Sequence, residues 1–378
     1  MSTLLVACLF LAACAGESDN NRDENETPPP APVPEYDFTT VDDRFQRFLD
    51  ENEVFDGISY TLVDAQQGAV HEAALGDHTL DIVVMLASTS KVPAVTLMMA
   101  MNDDESLDYD VEASIDNYLP WEGVYGDRTT VQLVSNTSGI PGLNALGEYG
   151  AHFCQYSGAG TLEACGQTIY STPLPSTIAP DQAFDYGGSQ WQLAGSVIEQ
   201  VGNQTWRQAF SRYIAAPCEL DVFQFGNMWS DQAAWTGNPD SLQGLDNPNI
   251  EGGAISNMQD YAKLLLLHLR GGKCGDNQVL SSASVDFMQI DRADKFGTPY
   301  GMGWWILANE DGSAPTVFHD PGAYGAISWI DIERGIGGYV AVDDYTRVAS
   351  GDSIGLVLSE IIGMVATAVD EGRAAIAN

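Results

Sequence analysis

The chain has 378 residues, 44% of them hydrophobic, with 53 acidic side chains against 15 Lys and Arg and a formal net charge of −38 at pH 7. That is ample apolar material for a core in one large or two intimately packed domains. The charge argues against nucleic acid and anionic membrane surfaces as partners, since both would be repelled; otherwise it reads as a solubility adaptation to a salty habitat and says nothing about a reaction.

At the N-terminus an apolar run from Leu4 to Ala13 is too short to span a bilayer and fits the core of a signal peptide. It ends in Leu11-Ala12-Ala13-Cys14, which resembles the bacterial lipobox, although no Lys or Arg precedes the run. The resemblance implies a signal segment over residues 1–14 and lipidation of Cys14. The expected location is the bacterial cell envelope, lipid-anchored in the periplasm or outer membrane, or else secreted, with the anchor as the sole membrane contact. Residues 15–37, acidic and then proline-rich, read as a disordered tether. Beyond the signal stand Cys154, Cys165, Cys218 and Cys274, an even number that suggests two disulfides with three possible pairings. Cys154 with Cys165 would close a short polar insertion and is the preferred local pair, leaving Cys218 with Cys274.

The stretch FDGISYTLVDAQQGAVHEAALG alternates around Gln66-Gln67-Gly68 as a hairpin does. MLASTSKVPAVTLMMAM predicts an apolar helix, and TTVQLVSNTSGIPGL a short helix followed by a Gly/Pro loop. SQWQLAGSVIEQVG and NMQDYAKLLLLHLRGG read as amphipathic helices that end at glycines. YGMGWWILA, AISWIDIE and GGYVAVDD read as strands, and SIGLVLSEIIGMVATAVDE as a closing helix. The fold expected is an α/β (α+β) architecture: a sheet domain from residues 38–80 and 245–378, with a mainly helical domain, 81–244, inserted between.

Lys91 is one of only four lysines and stands three positions after Ser88. On a helix the two share a face, so the amine reaches the hydroxyl. Pro93 is tolerated only near a helix start, which puts Ser88 at the N-terminal end, where free N–H groups favour developing negative charge. A serine nucleophile needs a neighbouring base and an oxyanion donor, and this placement supplies part of both. Read alone, the pair is weak evidence and reads more simply as an N-cap serine with a solvated first-turn lysine.

Its surroundings decide otherwise. ASTSKVPA, SIDNYLP with TTVQLVSNTSGIPGL, FDYGGSQWQLAGSVIE, GGAISNMQDYAKLLLLHLRGG, YGMGWWI and DPGAYGAISWIDIERGIGGYV occur in one order from about Phe45 to Asp370. Together they resemble the serine β-lactamase and penicillin-binding-protein superfamily, in particular its class C-like branch and the family VIII carboxylesterases. The resemblance implies a β-lactamase/transpeptidase-like fold, an antiparallel sheet flanked by helices. It also implies Ser88 as the acylated nucleophile, Lys91 and Tyr186 as its proton-handling partners, no cofactor and no metal, and a small ester or related acyl compound as substrate for a monomer. Asn136 stands where a histidine is common in this branch.

Two departures bear on the substrate. The second motif, often Tyr-x-Asn, is here Tyr186-Gly187-Gly188, without the asparagine that hydrogen-bonds a lactam or peptide amide. The third motif, normally Lys/His-Thr/Ser-Gly, falls either on Asp320-Pro321-Gly322 or on His319-Asp320-Pro321. The first register needs no gap and adds the N–H of Ala323 to that of Ser88 as an oxyanion hole. Asp320 in it is expected to repel the carboxylate of penicillins and D-alanyl peptides. A neutral ester is therefore the favoured substrate; a β-lactamase or D-alanyl-D-alanine carboxypeptidase is the alternative, and a non-catalytic surface-binding lipoprotein a third reading.

No Gly-x-Ser-x-Gly elbow occurs, and His71, in HEAALG, lacks the second histidine of a zincin helix, so it reads as a strand or turn residue. Trp304 and Trp305 read as core strand residues, and the Tyr149 to Tyr170 insertion as a possible roof over the site.

Overall fold

The computed structural model describes residues 32–227, 237–309, 313–344 and 350–377. The signal segment, Cys14 and residues 15–31 of the tether lie outside the described residues.

Six antiparallel strands form the main sheet, in the order Gly68–Gly76, Gly57–Asp64, Ile336–Ala341, Ala326–Asp331, Val317–Pro321 and Trp305–Leu307. The hairpin near the N-terminus thus pairs with the last strand of the chain, Leu62 opposite Gly338. Its turn is held by Asp64, whose Oδ1 accepts the N–H groups of Gln66 and Gln67, while Oδ2 takes Tyr36 and Arg373. His71 lies in the second hairpin strand with Nε2 2.7 Å from Asp42, as a strand residue should.

Every residue of Gly57–Asp64 is buried because both sheet faces are covered. One face carries Tyr60, Leu62, Trp329 and Val340 under the helices Thr39–Glu51 and Ser350–Ala377. The other carries Val63, Phe318, Ile330 and Tyr339 under the helix Met258–Leu269, where Tyr261 stacks on Tyr339 with centroids 4.2 Å apart. The Ser350–Ala377 helix is apolar and long enough to cross a membrane by composition, but Ile354, Leu358, Ile361, Val365 and Val369 are buried as a stripe on the sheet. It is a core helix of this fold.

The helical body packs on the second face. Its central helix, Lys91–Asn102, is apolar all round and buried except at its last residue, as expected of a helix surrounded by others. Ser189–Gly202 packs beside it. The helix predicted to end at a glycine runs through Gly202 and ends instead at Asn203, whose left-handed φ of 46° makes it the cap. The short helix Thr130–Val134 starts with a capping box between Thr129 and Gln132.

A three-stranded ribbon, Val84–Met85, Ala254–Ser256 and Gln224–Phe225, ties the halves together. Both disulfides form as the local preference suggested, Cys154 with Cys165 and Cys218 with Cys274. The first ties the insertion Gly150–Tyr156 to the helix Leu162–Ser171.

Candidate active site

Ser88 sits in a single 3₁₀ turn, Ala87–Ser90, that leads into the Lys91–Asn102 helix. The turn is anchored on both flanks. Leu86 N–H donates to Ala254 O at 2.9 Å, and Ser90 Oγ accepts from Ala254 N–H at 3.0 Å. Thr89 Oγ1 lies 2.9 and 2.6 Å from the carbonyls of Asp320 and Ala326, and Tyr261 O–H donates to Thr89 O. Ala87 pays for this with a φ of 46°, a strained conformation for a residue with a Cβ. Within the turn Ser88 alone is half-exposed; its neighbours are buried.

Lys91 is fully buried, and its Nζ donates to Ser88 Oγ at 3.1 Å and to Glu251 O at 3.0 Å. The Tyr186 phenol lies beside them, with Lys91 Nζ 4.6 Å from its ring centroid, and its hydroxyl acts electrostatically on Lys91 and Ser88. Hydroxyl, amine and phenol therefore meet at one helix tip. Burial disfavours the charged form of Lys91, but Tyr186, Glu251 and Asp320 outweigh it and hold the amine above its ordinary value. Burial pushes the Tyr186 phenol up, and Lys91 pulls it only part of the way back. The resting site is an ammonium beside a neutral phenol, so one proton must leave this pair before Ser88 can be deprotonated.

Tyr186 is aimed by the loop that begins at Asn136. Asn136 adopts a left-handed φ of 59°, and its Oδ1 accepts from Gly187 N–H at 3.0 Å and Trp191 Nε1 at 2.9 Å. Gln190 Nε2 donates to the carbonyls of Asp185 and Gly187, both at 2.7 Å.

The place of the missing asparagine is filled. A Cβ on Gly188 would stand 2.1 Å from the Tyr149 hydroxyl, and the φ of +87° at this residue suits glycine alone. Gly188 N–H donates instead to Glu251 Oε2 at 2.7 Å. Glu251 is buried, takes Tyr156 O–H on Oε1 at 3.0 Å, and places Oε2 3.8 Å from Lys91 Nζ. The Tyr149 to Tyr170 insertion thus reaches the floor of the site through Tyr149 and Tyr156.

The third motif requires a correction. On the strand Val317–Pro321 the buried positions are Phe318 and Asp320. Asp320 is wholly buried behind Lys91, its Oδ2 3.3 Å from Val92 N–H. Burial pushes its carboxyl well above the usual carboxylate range, against the pull of Lys91. The acid therefore does not face a substrate, and the expected repulsion of substrate carboxylates is lost with that position. His319 alternates to the opposite face of the strand, and burial lowers its imidazole to about 4. Gly322 brings the strand end against the serine turn: a Cβ there would meet Leu86 O at 2.0 Å. Ala323 follows, half-exposed and packed with Met85 and Ala87. This arrangement fits the Asp320-Pro321-Gly322 register.

Trp304 is core, but Trp305 is half-buried with its ring 5.2 Å from Tyr186, and Phe184 and Tyr300 complete an aromatic wall. Sequence reasoning missed Glu251, Tyr149 and Tyr156; the signal within reach was Gly188, a deletion that some other side chain had to fill. Among the described residues no group of three or more His, Cys, Asp or Glu is placed to hold a metal ion.

The family model described as Beta-lactamase matches residues 42–354. The chain belongs to the beta-lactamase family. Penicillin-binding protein 4 of Amycolatopsis lactamdurans is 24% identical over 364 residues, which span 87% of this chain and 91% of that protein. A Bacteroides dorei protein classed with the beta-lactamases shares 25% identity at a TM-score of 0.67, covering 87% of this chain and 98% of that one. A family VIII carboxylesterase, 17% identical with a TM-score of 0.65 over 88% and 97% of the two chains, shares the fold. As a member of the beta-lactamase family, with Ser88 and Lys91 in hydrogen-bond contact, the chain is a serine hydrolase; its esterase and amidohydrolase structural neighbours, 16–17% identical, share the fold.

Proposed function

We propose that this family member hydrolyses small neutral carboxylic esters through an acyl-enzyme on Ser88. Ser88 Oγ attacks the ester carbonyl as its proton passes to the Lys91–Tyr186 pair, already reduced by one proton. The N–H groups of Ser88 and Ala323 stabilise the oxyanion. The same pair returns the proton to the departing alcohol, and the acyl group stays on Ser88. Water then attacks the acyl carbon and gives a proton to the Lys91–Tyr186 pair; the bond to Ser88 Oγ breaks, the pair returns that proton to Oγ, and the acid leaves.

The observation that carries the reading is that the reactive trio is intact while Tyr149 fills the room of the amide clamp. The third-motif cation that would grip a carboxylate is also replaced, by the buried Asp320. Phe184 and Trp305, half-buried beside Tyr186, suit an uncharged acyl or alcohol group. The lipobox-like Cys14 and the two disulfides support export to the cell envelope.

A second reading, lactam or D-alanyl peptide hydrolysis, is favoured by one observation: Asp320 is turned away from the cleft and no longer repels a carboxylate. Assaying p-nitrophenyl acetate and butyrate beside nitrocefin and a D-Ala-D-Ala peptide separates the two. The expected result is a kcat/KM for the esters at least about a hundredfold above the others, close to 3 kcal/mol of transition-state preference. Faster lactam or peptide turnover would replace the ester reading with the second.

A further inference from the structure

Two acids flank one buried ammonium. Lys91 Nζ lies 3.8 Å from Glu251 Oε2 and feels Asp320 from the strand edge. Both acids cannot be charged there without leaving one negative charge uncompensated in a buried site. Their surroundings separate them. Glu251 accepts hydrogen bonds from Gly188 N–H and Tyr156 O–H, and sits at the N-terminal end of the fourteen-residue helix Ser189–Gly202, which favours an anion. Asp320 has one long hydrogen bond, from Val92 N–H at 3.3 Å, and its Oδ1 is buried without a partner. Of the two, Asp320 is the acid that burial pushes toward its neutral form, while the Glu251 carboxylate has two hydrogen-bond donors and the Lys91 ammonium beside it.

The other titratable groups that face the two acids are phenols, and Asp185 acts on one of them, Tyr149. Tyr149 and Tyr156 face Glu251, and burial raises both phenols. Tyr261 and Tyr300 face Asp320, and burial raises these as well. Tyr186 completes the set around Lys91.

We propose that Glu251 is a positioning residue of this site: it occupies the room that the second motif leaves empty, clamps Lys91 as an ammonium, and sets the pH at which a proton leaves the Lys91–Tyr186 pair. The proposal rests on Ser88 being the nucleophile. It assigns to Glu251 two functions at once. Its backbone carbonyl and its carboxylate hold Nζ from two sides, so the amine keeps its third proton aimed at Ser88 Oγ. Its charge makes that proton harder to lose, so the nucleophile switches on at a higher pH than Lys91 and Tyr186 alone would dictate.

The test is the pH dependence of Ser88 labelling by an alkyl fluorophosphonate, which needs no natural substrate, in the full chain and its Glu251→Gln variant. Glutamine preserves the shape: its oxygen can keep Gly188 N–H, and its amide can donate to the Tyr156 hydroxyl. A raised folded pKa means the group holds its proton longer, so removing the anion must move the rising limb towards lower pH. The midpoint is expected to fall by about one pH unit or more. Glu251→Asp, which keeps the charge but withdraws it by one methylene, should fall between, and it decides the matter should the glutamine variant not fold. An unchanged or higher midpoint in either folded variant overturns the proposal, as does a loss of labelling by one constant factor at every pH, which a purely structural tie between residues 156 and 188 would give. If the unmodified protein is not labelled at all, it is the reading of Ser88 that fails.

Discussion

Replacing Ser88 with alanine is expected to lower ester turnover by at least about a thousandfold while the protein stays folded. The substitution removes the only atom in the serine turn that is both half-exposed and hydrogen-bonded to the buried amine. What remains is the binding cleft and the oxyanion donors, which by themselves give only a small residue of catalysis. Stability should hold or rise. Lys91 keeps its hydrogen bond to Glu251 O and its ion pair with the carboxylate, and the anchors of the turn, through Leu86, Thr89 and Ser90, are untouched. Thermal unfolding recorded with the kinetics checks both halves. Turnover above about a tenth of the parent value would remove Ser88 from the mechanism.

The second large effect is expected at Lys91. Lys91→Met should also reduce kcat/KM by about a thousandfold or more, because neither Ser88 nor Tyr186 retains a neighbouring cation to lower the cost of losing a proton. Unlike the serine variant, it should be destabilised. Methionine fills most of the space, but Glu251 is left as a buried acid with no counter-ion, a change that costs about 3–5 kcal/mol. Adding Glu251→Gln to Lys91→Met removes that stranded charge and should recover much of the stability and none of the activity. Urea unfolding of the single and double variants beside ester kinetics measures the two quantities separately. A single variant as stable as the parent would show that the amine and the acid are not paired.

These effects follow from residues that differ in how far the sequence exposed them. Ser88, Lys91 and Tyr186 were named through the family resemblance, since the serine–lysine spacing read alone does not distinguish a nucleophile from a helix cap, and the structure brings the three side chains together at one helix tip. The hairpin at Gln66-Gln67-Gly68 and the helices Ser189–Gly202 and Met258–Leu269 were legible by period. The helix Thr39–Glu51 was missed, although Val41, Phe45, Phe48 and Leu49 recur at helical spacing, because the proline-rich tether runs directly into it. Asp320 was expected to face the substrate and is instead buried behind Lys91. The direction of a strand side chain depends on the phase of the pleat, and VFHDP does not alternate clearly enough to set that phase. Glu251 was invisible for another reason. It is one acid among 53, and its meaning arises only once Gly188, distant in sequence, leaves a donor N–H and a space beside Lys91.

The most direct test of the account is to quench a reaction with p-nitrophenyl butyrate in its first turnovers and to weigh the intact protein and its peptides. The account predicts one butyryl group per chain, carried on the peptide that contains Ser88 and absent from Ser88→Ala. Ester hydrolysis that proceeds with the butyryl group on another residue, or that persists in Ser88→Ala with no adduct at all, would contradict it.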